Sequence, residues 1–488
     1  MNKITKDSCV TLVELPPTQF GVLDGEISYD MYSRVKLPAR GIPSLDAVLR
    51  REGWKNLQSI CSLDGENGKL SSENFGRIYD SDVLGISSIT RTVPQSLQLA
   101  KEYKLRNPDG IVIVGGPDPT FRAEDWLEEV DIVVRGEGER TISELIERLA
   151  LDGYDPENPN LGDIDGLAFK RRGGIEVTTP RKLLTSEELS QLPHPFYSPR
   201  VRKSIDAGVV ETSRGCPNDC DFCTVTEFYG GKFRNKSTDY VIEELMQTRD
   251  MGRFLFFTDD NFIGVPRQAT NLLEAIVGNG LNKKGGVQTT VKLAERPDLM
   301  ALLQKAGINL LCVGIESIND ATLKGYGKPY TAQQNMQAIK TLKKAGFWIH
   351  GMMMLGGEGD TPETLKETSR WLSRNLDTVQ LFAATPIPGS RLFDKVEKEG
   401  RILTKDLYLY DGQHVVTRPR NFTPFELQKT IFEMYEDFYG VGNTLRRLRN
   451  SPDKVLTLEI SAYIKTLGRK MLYNPQSKKH LEFLKSIR

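Results

Sequence analysis

The sequence predicts an α/β protein built from two parallel-sheet units and a helical C-terminal segment. Three observations carry this. Short apolar runs alternate with amphipathic stretches over the first 190 residues, and the alternation resumes after about residue 200. A proline-rich stretch separates the two series. After Gly400 the pattern turns helical and more polar. Strands alternating with helices of this length imply right-handed βαβ crossovers, hence parallel sheets.

In the first series, strands are expected at Val10–Leu15, Leu57–Cys61, Val83–Ser87, Ile111–Val114 and Asp131–Val134. Pro16 and Pro17 end the first, and the polar loop Ser88–Thr92 follows the third. Gly115 and Gly116 end the fourth, and Gly136, Glu137 and Gly138 end the fifth. Helical spacing marks Ser44–Glu52, Ser96–Arg106 and Thr141–Leu151. Ligands of such sheets bind at the carboxyl ends of the strands. Small residues there permit the backbone to approach a ligand closely.

Residues 152–200 read as a connector, with Pro156, Pro159, Pro180, Pro193, Pro195 and Pro199 and a hairpin around Arg171–Gly174. The second series places strands at Val209–Thr212, Phe254–Thr258, Gln288–Val291, Asn309–Ile315, Trp348–Leu355 and Thr378–Ala383. Helices fall between them at Thr238–Met251, Arg267–Gly278, Pro297–Ala306, Thr331–Ala345 and Pro362–Arg374. These repeats are fewer than the roughly eight of a closed βα barrel, so a partial barrel is expected. Glu426–Tyr439 and Lys454–Leu472 are the main helices of the last segment. The expected domains are therefore 1–190, 191–400 and 401–488.

The 488 residues are 39% hydrophobic and 27% charged, an ordinary composition with apolar side chain enough for several cores. Lys plus Arg and Asp plus Glu number 65 each, and a zero net charge argues against a nucleic-acid partner. The opening MNKITKDSCVTLVELPP has no apolar run suited to secretion, and no stretch of about 18 apolar residues predicts a membrane span. A reducing cytoplasm is the expected compartment. Of the cysteines, Cys9, Cys61 and Cys312 are scattered, and Cys312 sits in the apolar run LLCVGI as core. Cys216, Cys220 and Cys223 lie together, which in a large chain reads as metal ligation and not as a disulfide framework.

Those three stand in ETSRGCPNDCDFCT, residues 211–224, directly after the first barrel strand. Thiolates are the usual ligands of iron–sulfur clusters, and about four are needed to saturate a four-iron cluster. Three cysteines without a fourth leave one iron open to a ligand with nitrogen and oxygen donors. A structural zinc site wants about four protein ligands, and no further His or Cys lies close by. Asp259, Asp260 and Asn261 leave the second barrel strand. Alone they read as a turn or helix cap; at the carboxyl end of a barrel strand they read as a site.

The Cys-x3-Cys-x2-Cys spacing at the end of the first strand of a partial barrel resembles the radical S-adenosylmethionine superfamily. The resemblance implies a [4Fe–4S] cluster on Cys216, Cys220 and Cys223. It implies S-adenosylmethionine chelated at the open iron and cleaved to a 5′-deoxyadenosyl radical. It places Phe222 near the adenine and Asp259, Asp260 and Asn261 at the amino group. Glu316 and Ser317, in VGIES, fall where the family contacts ribose and carboxylate, and Lys292 where the carboxylate is neutralised. The Met352–Met354 run reads as packing, and PIPGSRLF, residues 386–393, as a rigid turn over the barrel mouth.

The strings DVLGISSITRTVPQSLQLA, IVIVGGPDPTF, DIVVRGEGERTISEL, LPHPFYS and LYDGQHVVTRPRNFTPFELQ resemble one subfamily, the class B enzymes with a Rossmann-like cobalamin-binding domain. That resemblance covers nearly the whole chain. It implies cobalamin lying along strand ends near Ser87, Thr90, Gly115, Gly116, Gly136 and Glu137; by themselves these glycines also read as ordinary turns. Many such domains supply a cobalt-ligating His from the loop after the first strand. Here Pro16–Arg34 contains none, and the one His before the barrel is His194 in the connector. Cobalamin is expected without a histidine ligand; the alternative is a domain that binds no corrinoid.

The implied activity is cobalamin-dependent C-methylation of an unactivated carbon in a protein side chain, lipid or small metabolite. An electron donor of flavodoxin or ferredoxin type is the implied partner. The alternatives are ring formation or carbon–carbon coupling without methyl transfer, and a corrinoid carrier without turnover. Tyr229, Arg234, Tyr326, Tyr408, Asp411 and His414 are candidates for the substrate cavity.

Overall fold

A computed structural model describes residues 4–16, 36–61, 63, 70–472 and 475–487, and of the side chains within 466–472 nothing is described. The loop expected to lack a cobalt-ligating histidine lies, beyond Pro16, outside the described residues. The chain forms two compact units, which divide between Asp206 and Ala207; Asp250–Gly252 joins the first.

In the first unit, β1 (Val10–Glu14), β2 (Leu57–Ile60), β3 (Val83–Ser87), β4 (Ile111–Gly115) and β5 (Ile132–Val134) form a parallel sheet. The hairpin β6 (Leu167–Arg171) and β7 (Gly174–Val177) extends it antiparallel. The order is β2-β1-β3-β4-β5-β6-β7. The first five strands thus have the doubly wound order whose reversal point lies between β1 and β3. Alternate strand residues fill opposite faces. Val10, Leu12, Ile111 and Ile113 join the core with Ile42 and Leu49 of helix Gly41–Arg51 and Ile142 and Leu145 of helix Gly138–Asp152. Thr11, Val13, Val112 and Val114 are equally buried on the other side. A parallel sheet covered on both faces has this pattern.

In the second unit, β8 (Ala207–Val210) leads into a short antiparallel pair, β9 (Ser213–Arg214) and β10 (Arg234–Asn235). β11 (Phe254–Phe257), β12 (Gly285–Thr289), β13 (Ile308–Glu316), β14 (Trp348–Leu355) and β15 (Thr378–Ala383) follow. The parallel order is β15-β14-β13-β12-β11-β8, an arc of consecutive strands whose two ends are not paired to each other. This is the partial barrel the repeats implied. β12 begins at Gly285 and not at Gln288, because Gly285 and Gly286 carry no apolar or β-branched signal yet pair with β11 and β13. Lys292 consequently falls in a 3-10 turn, Val291–Glu295, beyond the strand end.

Among the described residues, the segment after Gly400 packs into the barrel's core and builds none of its own. Leu427, Ile431, Phe432 and Phe438 of helix Pro424–Phe438 share one cluster with barrel residues such as Val379 and Leu381. Tyr435 and Tyr439 cover the outer edge of β15. Each hydroxyl accepts from a backbone N–H and donates to the C=O of the same residue: Leu381 for Tyr435 (2.7 and 3.1 Å) and Val379 for Tyr439 (3.0 and 2.9 Å). Two side chains thereby replace the hydrogen bonds that a further strand would make. Among the described residues no helix is long and apolar enough to cross a membrane.

Candidate functional site

The cysteine loop starts from β9. Gly215 has φ +90°, and a Cβ there would lie 2.1 Å from the Lys232 carbonyl oxygen, so only glycine lets the loop leave the β9–β10 pair. Asp259, fully buried at the end of β11, accepts from Thr212 N at 3.2 Å, from Thr212 Oγ1 at 2.7 Å and from the Ser213 hydroxyl. Its oxygens are thus spent on fixing the base of the loop. This is a different task from the cofactor contact expected of it. Asp260 accepts from Gly215 N at 3.3 Å. The residue as a whole is exposed, yet desolvation of its carboxyl group, with the neighbouring Asp259 and Glu211 charges, pushes its pKa up to about 6.

Cys220 is buried, and Cys216 and Cys223 are partly buried. The Cys223 amide donates to the Cys220 carbonyl at 3.1 Å, which turns the chain so that the thiols neighbour one another. Burial raises all three thiol pKa values, that of Cys223 to about 11, and neighbouring sulfurs add to the rise at Cys220 and Cys223. Bare thiolates are therefore disfavoured here, and the positive charge of bound iron is what would stabilise them. Among the described residues no three His, Cys, Asp or Glu side chains close tightly enough on one point to hold a single ion. Three cysteines suit a four-iron cluster with one iron left open, whereas a structural zinc site wants about four protein ligands.

Asn261 is buried beside Cys216, with its Oδ1 unpartnered among the described residues. An acceptor of this kind suits an ammonium donor. Glu316, at the end of β13, has φ +62°, the one positive φ outside glycine among the described residues. The buried Asn335 amide donates to the carbonyls on either side of it, Ile315 at 2.9 Å and Ser317 at 3.0 Å, and so holds the strained corner in place. Gly314 leaves the space below: a Cβ there would lie 2.7 Å from Glu316 Oε1. Glu316 pairs with the buried Lys328 at 3.0 Å. The Ser317 hydroxyl accepts from Asn319 N at 3.0 Å. Phe222 packs edge-on against Tyr326, with centroids 5.6 Å apart. Lys292 is exposed, its ammonium 5.8 Å from the Tyr330 ring centre. Sequence reasoning missed Lys328 and Asn335, which lie in no motif.

Among the proposed cavity residues, Asp411 and His414 are packing. His414 Nδ1 meets Asp411 at 2.9 Å and its Nε2 meets the Ser477 hydroxyl at 3.2 Å, pinning helix Pro475–Ser486. Arg234 lies over the Tyr229 ring at 5.0 Å. Tyr326 and Tyr408 are buried.

In the first unit, Ser87, at the end of β3, is paired to Glu14 on one side and to Gly115 on the other. Gly116 has φ +114°, and a Cβ there would lie 2.5 Å from the Ser88 carbonyl oxygen. Gly136 faces open space, and Thr90 is buried in a 3-10 turn. These strand ends offer a cradle of small groups at the position where doubly wound sheets bind ligands. Glu137 is the exception: its carboxylate accepts from Leu184 N at 2.8 Å and anchors the connector.

The radical SAM superfamily model matches residues 210–372, and the B12 binding domain model matches residues 32–146. An uncharacterized methyltransferase of Pyrococcus horikoshii is 30% identical over 82% of this chain and 88% of its own length. The hopanoid C-3 methylase of Methylococcus capsulatus is 28% identical over 84% of this chain and 79% of its own. Among solved structures, the cobalamin-dependent S-adenosylmethionine radical enzyme OxsB, with aqua-cobalamin and S-adenosylmethionine bound, superposes with a TM-score of 0.72 at 18% identity. It matches 98% of this chain and 74% of that one. The chain belongs to the cobalamin-binding, class B family of radical S-adenosylmethionine methyltransferases.

Proposed function

We propose that this enzyme methylates an unactivated carbon of an uncharged lipid or small metabolite, with Cys216, Cys220 and Cys223 holding its [4Fe–4S] cluster. The neighbouring Cys216, Cys220 and Cys223 thiols, with the unpartnered Asn261 oxygen beside Cys216, carry the reading of the site. When bound, the cluster and S-adenosylmethionine supply a hydrogen-abstracting radical, and cobalamin supplies the methyl group.

The protein's part is to bind, orient and exclude water. Asn261 would accept from the ammonium of S-adenosylmethionine, with Asp260 beside it. Glu316, Ser317 and Phe222 would line the nucleoside side, and Lys292 the outer rim. In the first unit, Ser87, Thr90, Gly115, Gly116 and Gly136 would face cobalamin. Glu137 would act through the connector. We assign cofactor binding to 1–190, radical chemistry to 191–400 and the supporting helices to 401–488.

The inward strand face supports this choice of substrate class. Phe256, Gln288, Cys312, His350, Met352 and Gln380 are each partly accessible there, while their strand neighbours fill the core. Burial lowers the His350 pKa to about 4, so at neutral pH this lining carries no charge. An uncharged carbon skeleton suits it better than a charged side chain, and the hopanoid methylase is a relative whose substrate is of that kind. A reducing cytoplasm with a flavodoxin- or ferredoxin-type donor would serve the cluster. The test is anaerobic reconstitution followed by incubation with S-adenosylmethionine, reductant and candidate lipids or metabolites. Formation of 5′-deoxyadenosine together with S-adenosylhomocysteine supports methylation; 5′-deoxyadenosine alone overturns it.

A further inference from the structure

Lys328 is a buried cation that none of the motifs accounts for. Its side chain is 6% exposed and that of its partner Glu316 is 9% exposed, with Nζ and Oε1 3.0 Å apart. The same ammonium lies 5.5 Å from the centre of the ring of Phe222, which stands in the cysteine loop between Cys220 and Cys223, and its positive charge draws the Cys220 thiol pKa down against the rise from burial. The loop that carries it is fastened to the cysteine loop: Asp221 N donates to the Tyr326 carbonyl at 3.2 Å. On the far side Arg391, in the PIPGSRLF turn, binds Asp219 at 2.6 Å and Asp221 at 3.0 Å, and Leu392 N donates to the Asp221 carbonyl at 2.8 Å. The Cys220 segment is thus tied to two neighbouring loops, and the buried Lys328 ammonium is held beside the cysteine loop by Glu316.

We propose that Lys328 is a positioning residue for the cluster, which sets its electron affinity through the Cys220 sulfur and ties that setting to Glu316. Charge and hydrogen bonds at ligand sulfurs are among the levers that move an iron–sulfur potential. A cation there stabilises the extra electron of the reduced cluster, and burial strengthens the effect by lowering the local dielectric. Glu316 works in the opposite sense, because it neutralises part of that charge. The two side chains form one electrostatic unit between strand end and cluster.

The inference rests on the three cysteines holding the cluster. The experiment is a spectroscopically monitored redox titration of the full-length, reconstituted chain without S-adenosylmethionine, with iron and sulfide content measured in parallel. In Lys328→Met the reduced-to-oxidised ratio at a fixed potential should fall by tenfold or more; for one electron, tenfold corresponds to about 59 mV. Lys328→Arg, which keeps the charge, should restore most of that loss, and Glu316→Gln should shift the ratio the other way. A fully loaded Lys328→Met with an unshifted ratio overturns the inference, as does an equal shift in Lys328→Met and Lys328→Arg. If Lys328→Met takes up no cluster, the Glu316→Gln titration decides: a rise supports the inference, and no change or a fall overturns it. A wild-type chain that assembles no cluster refutes instead the reading of the cysteines on which it rests.

Discussion

The strained corner at Glu316 is where single residues decide the site. A non-glycine residue at positive φ persists only where its surroundings over-determine it, and here Asn335 does so with two hydrogen bonds to the flanking carbonyls. Asn335→Ala should lower stability by about 1–3 kcal/mol, read as a drop in thermal midpoint, and should weaken S-adenosylmethionine binding measured by calorimetry. Replacement of Cys216, Cys220 or Cys223 by Ala should abolish both the iron–sulfur absorbance and the cleavage of S-adenosylmethionine in a chain that still unfolds cooperatively. At this scale the sequence was legible where chemistry is contiguous. The three cysteines stand together, and Asn261 follows a strand that periodicity finds. Lys328 and Asn335 stand in a loop and a helix, and no local pattern distinguishes a lysine bound for burial from a solvated one. Asp259 was legible as a site residue but not in its task, because its partners Thr212 and Ser213 are brought to it only by the pairing of β8 with β11.

Strands were legible where β-branched runs make them. β3 was found to the residue, whereas β12 was read late because its first two residues are glycines. Helix Ser72–Tyr79 escaped notice because Gly76 interrupts its short pattern, although the Ser71–Asn74 capping box marks its start. At the carboxyl end of β1 stands Glu14, whose pKa burial raises from the usual 4.5 to about 7. Between those pH values the folded chain keeps a proton that the unfolded chain has lost. Stability must therefore fall as pH rises from about 4.5 to about 7 and stay low above it, by up to about 3 kcal/mol. In the cofactor-free protein, Glu14→Gln should remove this dependence and raise stability at pH 8, as measured by urea unfolding at pH 5 and pH 8.

Across the whole molecule, apolar patterning revealed two βα series and a helical end, but not which core the end would join. Helix Pro424–Phe438 carries an apolar stripe, and a stripe does not name its partner; contact with β15 decides it. Truncation before Thr423 should therefore not release an intact barrel. It should leave the shortened chain insoluble, whereas the full chain stays in solution, as sedimentation of the two would show. Tyr435→Phe and Tyr439→Phe test the same dependence more gently. Each strands one buried N–H and one C=O of β15, at about 1–3 kcal/mol apiece.

The tyrosine cover also sets a timetable. β15 ends at Ala383, and the second hydroxyl that seals its edge belongs to Tyr439. At about 5–20 residues per second of synthesis, the growing chain carries a finished but uncovered strand edge for several seconds before its seal leaves the ribosome. During that interval the nascent barrel is open to strand addition by a neighbouring chain on the same message, so slower translation across residues 384–439 would favour co-aggregation and a chaperone that shields the edge would relieve it.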